Sequence, residues 1–183
     1  MTASILLTAP IASVHADAID DKAAICAACH GEKGIPIDKS IPVIWGQNEG
    51  YIYLELRDFK RGNRKSAQMA PIVADLSRDD MLALASYFSQ KKWPSLAQPS
   101  AAKSVATAAI TVIGSVGCTS CHLEQFQGDS ATPRLADQNR DYLLKTMTEF
   151  RSGARANNPG MTALLTGVSD TDLAALADYL SGF

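Results

Sequence analysis

Four cysteines and three histidines are the residues of this 183-residue chain best suited to chemistry, and they fall in a narrow pattern. Cys26-Ala27-Ala28-Cys29-His30 is one pentapeptide and Cys118-Thr119-Ser120-Cys121-His122 is another. Together they account for every cysteine and for every histidine except His15. C-x-x-C-H is an attachment signature for c-type haem. Two thiols about one helical turn apart can each add to a haem vinyl group, and the adjacent imidazole then lies under the iron. Cys26, Cys29, Cys118 and Cys121 are therefore candidate attachment points, and His30 and His122 candidate iron ligands. The expected cofactors are two covalently attached haem c groups. A thioredoxin-like dithiol would need a βαβ pattern, which the sequence lacks, and a Cys₄ zinc site would leave both histidines without a role.

The two motifs head two copies of one longer pattern. Cys26 and Cys118 are 92 residues apart, and the same offset matches Met69 with Met161, Leu84 with Leu176 and Tyr87 with Tyr179. In between, an offset of 91 matches Pro42 with Pro133, Gln47 with Gln138, Tyr51 with Tyr142, Phe59 with Phe150, Gly62 with Gly153 and Arg64 with Arg155. The repeat also sorts the methionines. Met81 pairs with Leu173 and Met147 with Leu56, exchanges that core packing tolerates. Met69 and Met161 pair with each other, each expected in a loop just before a capped helix. A thioether delivered from such a segment can close a Met/His haem, so Met69 and Met161 are the candidate second axial ligands.

The elements that must position these groups read as three helices per copy. Residues 19–29 and 106–121 deliver the two motifs. Residues 49–61 place Ile52, Leu56 and Phe59 on one face, and residues 140–152 do the same with Leu143, Met147 and Phe150. The last helix of each copy opens on a serine followed by acids, at Ser77-Arg78-Asp79-Asp80 and Ser169-Asp170-Thr171-Asp172, which suits a helix N-terminus. No alternating strand pattern is present, so the fold class is all-α. The domain expectation is a signal peptide over 1–16, an N-terminal domain over 17–93, a linker over 94–105 and a C-terminal domain over 106–183. Each half is small enough that a side-chain core alone is marginal, and a flat apolar cofactor would complete it.

The apolar run over residues 5–14, followed by small residues up to Ala18, suggests an export signal, although Met1–Ser4 carries no Lys or Arg. Cleavage after Ala16 would remove His15 and with it the spare imidazole. No apolar run reaches the roughly 18 residues a membrane span requires. A net charge of −2 argues against nucleic-acid binding. Charge is uneven: residues 17–93 carry 11 basic and 11 acidic groups, residues 113–183 carry 5 and 8. Lys60, Arg61 and Arg64 sit in a basic cluster before Met69. It reads either as a solvated helix face or as a docking patch for an acidic partner.

These motifs resemble the dihaem cytochrome c4 family, two fused class I cytochrome c domains. The resemblance covers roughly residues 19–183. It rests on CAACHGEKG, Ile44-Trp45-Gly46-Gln47, Tyr51, Phe59, Gly62, Arg64, Met69 and SRDDMLALASYF. In the second copy it rests on CTSCH, Leu135-Ala136-Asp137-Gln138, Tyr142, Phe150, Gly153, Arg155, Met161 and SDTDLAALADYL. The family likeness implies that Pro42 and Pro133 offer their carbonyls to the haem histidines. It also implies a periplasmic carrier of single electrons between respiratory partners, towards a terminal oxidase, with no catalytic residues of its own. Its partners would be a redox donor and acceptor, with peripheral membrane association left open. An alternative is the haem subunit of a larger enzyme, such as a flavocytochrome c sulfide dehydrogenase. A peroxidase-like enzyme would need an iron that loses its methionine. Leu123 follows His122 where Gly31 follows His30, and Asp137 stands where Gly46 stands, so two unlike haem environments are expected.

Overall fold

A computed structural model describes residues 12–183, with side chains from Ile19 onward. Residues 1–11 of the expected export signal, and the side chains of its remainder including His15, fall outside that description. Among the described residues the chain is helical, and one isolated bridge between Asp129 and Thr132 is the only strand-like pairing. The first copy comprises α1 (Ala12–His30), α2 (Glu49–Arg61), α3 (Met69–Val73) and α4 (Arg78–Ser89). The second comprises α5 (Lys103–Val116), α6 (Thr119–His122), α7 (Arg140–Ser152), α8 (Pro159–Leu165) and α9 (Asp170–Ser181).

Local chemistry sets the helix ends, and it does so in parallel. In α4, Ser77 accepts from the Asp80 amide while Asp80 accepts from the Ser77 amide, a reciprocal capping box. In α9, Ser169 accepts from the Asp172 amide. Helices α2 and α7 stop at Gly62 and Gly153, at φ 73° and 76°, a left-handed turn that glycine adopts without steric penalty.

Three expectations about the elements need correction. The methionine segments are not loops: Met69 opens α3 and Met161 is the third residue of α8. Ser66 Oγ accepts from the Met69 amide, and Asn158 Oδ1 accepts from the Met161 amide with Pro159 preset in the first turn, so both segments are nucleated as short helices. The segment 106–121 is not one helix. Gly117, at φ 79°, ends α5 and a new turn begins at Thr119; the first copy has Ile25 at that place and stays helical through to His30. Finally, α5 starts at Lys103, within the segment expected to be linker.

Each copy owns a core. The second is the larger, with 14 buried apolar residues in one cluster centred on Leu143, Met147, Phe150, Leu173 and Leu176. Among the described residues the cluster in the first copy holds five: Ala23, Ile52, Leu84, Ala85 and Phe88. Met81 and Met147 are both buried, as core residues should be.

The copies meet through a pseudo-twofold set of hydrogen bonds. Gln47 accepts from the Arg134 amide at 2.7 Å and donates to the Arg134 carbonyl at 3.0 Å. Gln138 does the same with Val43, at 2.8 and 3.0 Å. The Tyr51 amide donates to Ser130, and the Tyr142 amide to Lys39, both at 3.1 Å. Asn48 donates to Thr132 and Asn139 to Ile41, at 2.7 and 2.6 Å. Each of these bonds has its repeat-related twin in the other direction, the pattern of a self-complementary interface. The interface satisfies loop backbone groups that would otherwise be buried without partners.

Candidate functional site

Helix α1 carries Cys26, Cys29 and His30 on its last turn, and the short α6 carries Cys121 and His122 behind Cys118. All four thiols are free. Cys26 and Cys118 are partly buried against the two apolar cores, while Cys29 and Cys121 face outward. Burial pushes the Cys26 thiol up to about 11 and raises that of Cys118 as well. Each motif thus offers one inner and one outer thiol, spaced by a helical turn.

Both imidazoles are buried, and both are held the same way. His30 Nδ1 donates to the Pro42 carbonyl at 2.8 Å, and His122 Nδ1 donates to the Pro133 carbonyl at 3.0 Å. A carbonyl can only accept, so the proton sits on Nδ1 and Nε2 keeps its lone pair. Burial lowers the affinity of both rings for a second proton, opposed in part by the proline carbonyls. The neutral, ligating form is the favoured one.

These residues fit a covalent haem better than a directly bound ion. Among the described residues no group of three or more His, Cys, Asp or Glu side chains converges on one point. Each motif has instead one oriented imidazole beside two free thiols. Large apolar side chains on the same segments stay open to solvent, as a flat apolar group seated there requires: Ile35, Ile37 and Ile72 in the first copy, Leu123 and Leu164 in the second. Met69 and Met161 are half-buried on α3 and α8. Met161 packs against the second core.

The basic cluster does not stay together. Lys60 and Arg61 are exposed at the end of α2, but Arg64 is turned into the domain interface. Its guanidinium lies 2.5 Å from Glu55 and 3.2 Å from the Tyr142 hydroxyl. Arg155, its repeat partner, approaches the other Glu55 oxygen at 2.5 Å and the Tyr51 hydroxyl at 3.3 Å. One carboxylate serves both cations, because Thr146 stands at the repeat position of Glu55. Burial raises the Tyr51 phenol, and the Glu55 charge adds to this. Tyr142 is also penalised by burial, but the guanidiniums of Arg64 and Arg155 prevail and bring it down to about 8. The sequence reading missed this buried network. The signal was present: Tyr51, Arg64, Tyr142 and Arg155 are repeat-matched polar residues that no haem ligand explains.

Comparison with known proteins agrees with the fold and the motifs. The cytochrome c family model matches residues 101–182. Cytochrome c4 of Azotobacter vinelandii is 34% identical over 179 residues, covering 88% of this chain and 85% of that protein. A thiosulfate dehydrogenase electron acceptor of Stutzerimonas stutzeri is 31% identical over 85% of this chain and 77% of its own length. The reduced recombinant cytochrome c4 of Pseudomonas stutzeri superposes with a TM-score of 0.81 at 30% identity, over 91% of this chain and 97% of that one. With two tandem class I cytochrome c domains and two haem-attachment motifs, the chain belongs to the cytochrome c4 family, electron carriers with two covalently bound haem c groups.

Proposed function

We propose that this chain is a periplasmic dihaem carrier that moves single electrons between respiratory partners, towards a terminal oxidase. The observation that carries the reading is the duplicated imidazole setting, with His30 on Pro42 and His122 on Pro133 in matched geometry. When bound, each haem supplies a reversible one-electron iron couple. Cys26 and Cys29 would hold one haem and Cys118 and Cys121 the other, each through two thioethers. His30 and His122 would present Nε2 to the metal, and the proline carbonyls, bonded to Nδ1, orient the rings and would keep the imidazoles electron-rich. Met69 and Met161 would supply thioether ligands to the irons, and a thioether would raise the potential relative to a second histidine. With an imidazole and a thioether from the chain for each iron, the side chains would attach and orient the haems and leave no iron position for a substrate.

The apolar run and small residues over 1–16, read as an export signal, support the periplasmic assignment. No helix among the described residues is long and apolar enough to cross a membrane. Lys60 and Arg61 remain as exposed cations for a partner, and Arg64 leaves that set. A second reading is favoured by one specific likeness: a relative named as a thiosulfate dehydrogenase electron acceptor. On that reading the immediate donor is a dehydrogenase, in the way the haem subunit of a flavocytochrome c serves its flavoprotein.

The experiment is oxidation of the reduced holoprotein by oxidase-containing membranes, with carbon monoxide binding measured in parallel. Rapid oxidation with no carbon monoxide uptake is the expected result. Stoichiometric uptake by the reduced holoprotein would mean an open iron and an enzyme rather than a carrier.

A further inference from the structure

The duplication supplies an internal control for surface chemistry, because the two copies share a scaffold and differ in what decorates it. Between α2 and the α3–α4 turn of the first copy lies a concavity of about 340 Å³. Its floor is Tyr53, Leu76 and Met81, and its rim is four cations: Arg57, Lys60, Arg61 and Arg78. Only Arg57 has a close carboxylate among the described residues, Asp58 at 3.0 Å; Arg78 reaches no nearer than 4.0 Å to Asp79. Lys60 is held over the concavity by donating to the Leu76 carbonyl at 2.5 Å.

The second copy has the same backbone feature with the charge removed. Arg151 replaces Lys60 and donates to the Val168 carbonyl at 2.9 Å, the repeat of the Lys60–Leu76 bond. Thr148 stands for Arg57, Ser152 for Arg61 and Asp170 for Arg78, and Asp170 pairs directly with Arg151. The scaffold thus needs one cation for its own hydrogen bond, and the second copy neutralises it. Of the other three cations, Arg57 offsets the buried Asp58 carboxylate, whereas Arg61 and Arg78 make no side-chain hydrogen bond among the described residues.

We propose that the concavity in the first copy is a docking site for a short acidic segment of the redox partner, which seats carboxylates among Arg57, Lys60, Arg61 and Arg78. Charge complementarity selects the occupant. Arg57 is offset by Asp58, but Lys60, Arg61 and Arg78 leave an excess of positive charge around one depression, and a carboxylate-bearing segment relieves it while its stem covers Tyr53, Leu76 and Met81. The second copy offers no equivalent site, so partner exchange through this contact is confined to the first domain. The identity of the segment as part of a redox partner rests on the carrier reading; binding of the acidic segment does not.

The test uses the reduced holoprotein and a short oligoglutamate peptide, followed by amide chemical shifts in NMR. Saturable shifts are expected at residues 53–61 and 76–81, with none at the matching residues 144–152 and 168–173. Arg61→Glu with Arg78→Glu should weaken binding by at least ~tenfold, whereas Arg151→Gln should leave it unchanged. Both positions are exposed, and circular dichroism verifies that the variants are folded. Equal shifts in both copies, unchanged affinity in the double variant, or inorganic phosphate binding the same amides as tightly as the peptide at matched ionic strength would each overturn the proposal. None of these outcomes bears on haem number or axial ligation, which are measured separately.

Discussion

Replacing Glu55 by Gln should destabilise the protein by about 3 kcal/mol. Glu55 lies 2.5 Å from both Arg64 and Arg155, and the three side chains are 12%, 11% and 3% exposed. With the centres of the delocalised charges about 4 Å apart, a pair of unit charges in a protein interior attracts by roughly 4 kcal/mol at an effective dielectric constant near 20. Most of that offsets the loss of hydration, so the trio adds little compared with an apolar core. Removing its only anion is different, because two guanidiniums then face each other in a buried site. Orphaning one member of a buried ion pair costs about 3–5 kcal/mol. Glutamine keeps an oxygen acceptor, which puts the change at the lower end. Glu55 belongs to the first copy and Arg155 to the second, so part of the loss should fall on domain coupling. The assay is urea unfolding of the holoprotein followed by circular dichroism and by haem absorbance. A loss near 3 kcal/mol that salt reduces only slightly is expected, with separated transitions for the two copies. A loss below about 1 kcal/mol would place the trio among ordinary surface pairs and refute the reasoning.

Two further changes test the interface and the helix ends. Gly50→Ala should weaken domain association although alanine is the better helix former by about 1 kcal/mol. A Cβ at Gly50 would sit 2.8 Å from the Ser130 carbonyl oxygen, the acceptor of the Tyr51 amide, and a more stable variant by urea unfolding would contradict this. The bridge from Lys22 to Asp80 ties α1 to α4, and the Lys22 ammonium with the Ser77 cap holds the Asp80 carboxyl at about 2. A depressed carboxyl stabilises the fold fully above its unfolded pKa of about 3.9 and loses that contribution as pH falls towards 2. Both side chains are partly exposed, so the contribution is less than about 1 kcal/mol. Asp80→Asn should therefore narrow the stability difference between pH 6 and pH 2.5 in thermal unfolding, and an unchanged difference would sink the idea.

The attachment motifs were legible because covalent haem chemistry fixes residue type and spacing within five residues. The duplication was legible for the same reason at longer range: Cys26, Met69 and Leu84 keep one offset from Cys118, Met161 and Leu176. The all-α class and the serine caps at Ser77 and Ser169 follow from local rules and appear in the structure. What escaped were effects of one residue or of the other copy. Gly117 breaks α5 because a left-handed turn is open to it, while Ile25 at the matched place is not so inclined. Met69 and Met161 lie in short helices because Ser66 and Asn158 cap them, and a five-residue helix leaves little periodicity to read. Arg64 looked like a surface cation beside Lys60 and Arg61. Only the packing of the second copy turns it towards Glu55 and Tyr142, and no pattern within one repeat contains that information.

The most direct test is a redox titration of the purified holoprotein, compared with Met69→Ala, Met161→Ala and, as a core control, Met81→Leu, with the methionine–iron charge-transfer band recorded alongside the haem bands. Two haems per chain, two one-electron steps, half of the methionine band lost in each ligand variant and none in the control is the expected result. A full band remaining in Met69→Ala or Met161→Ala, or one haem per chain, would contradict the duplicated His/Met arrangement.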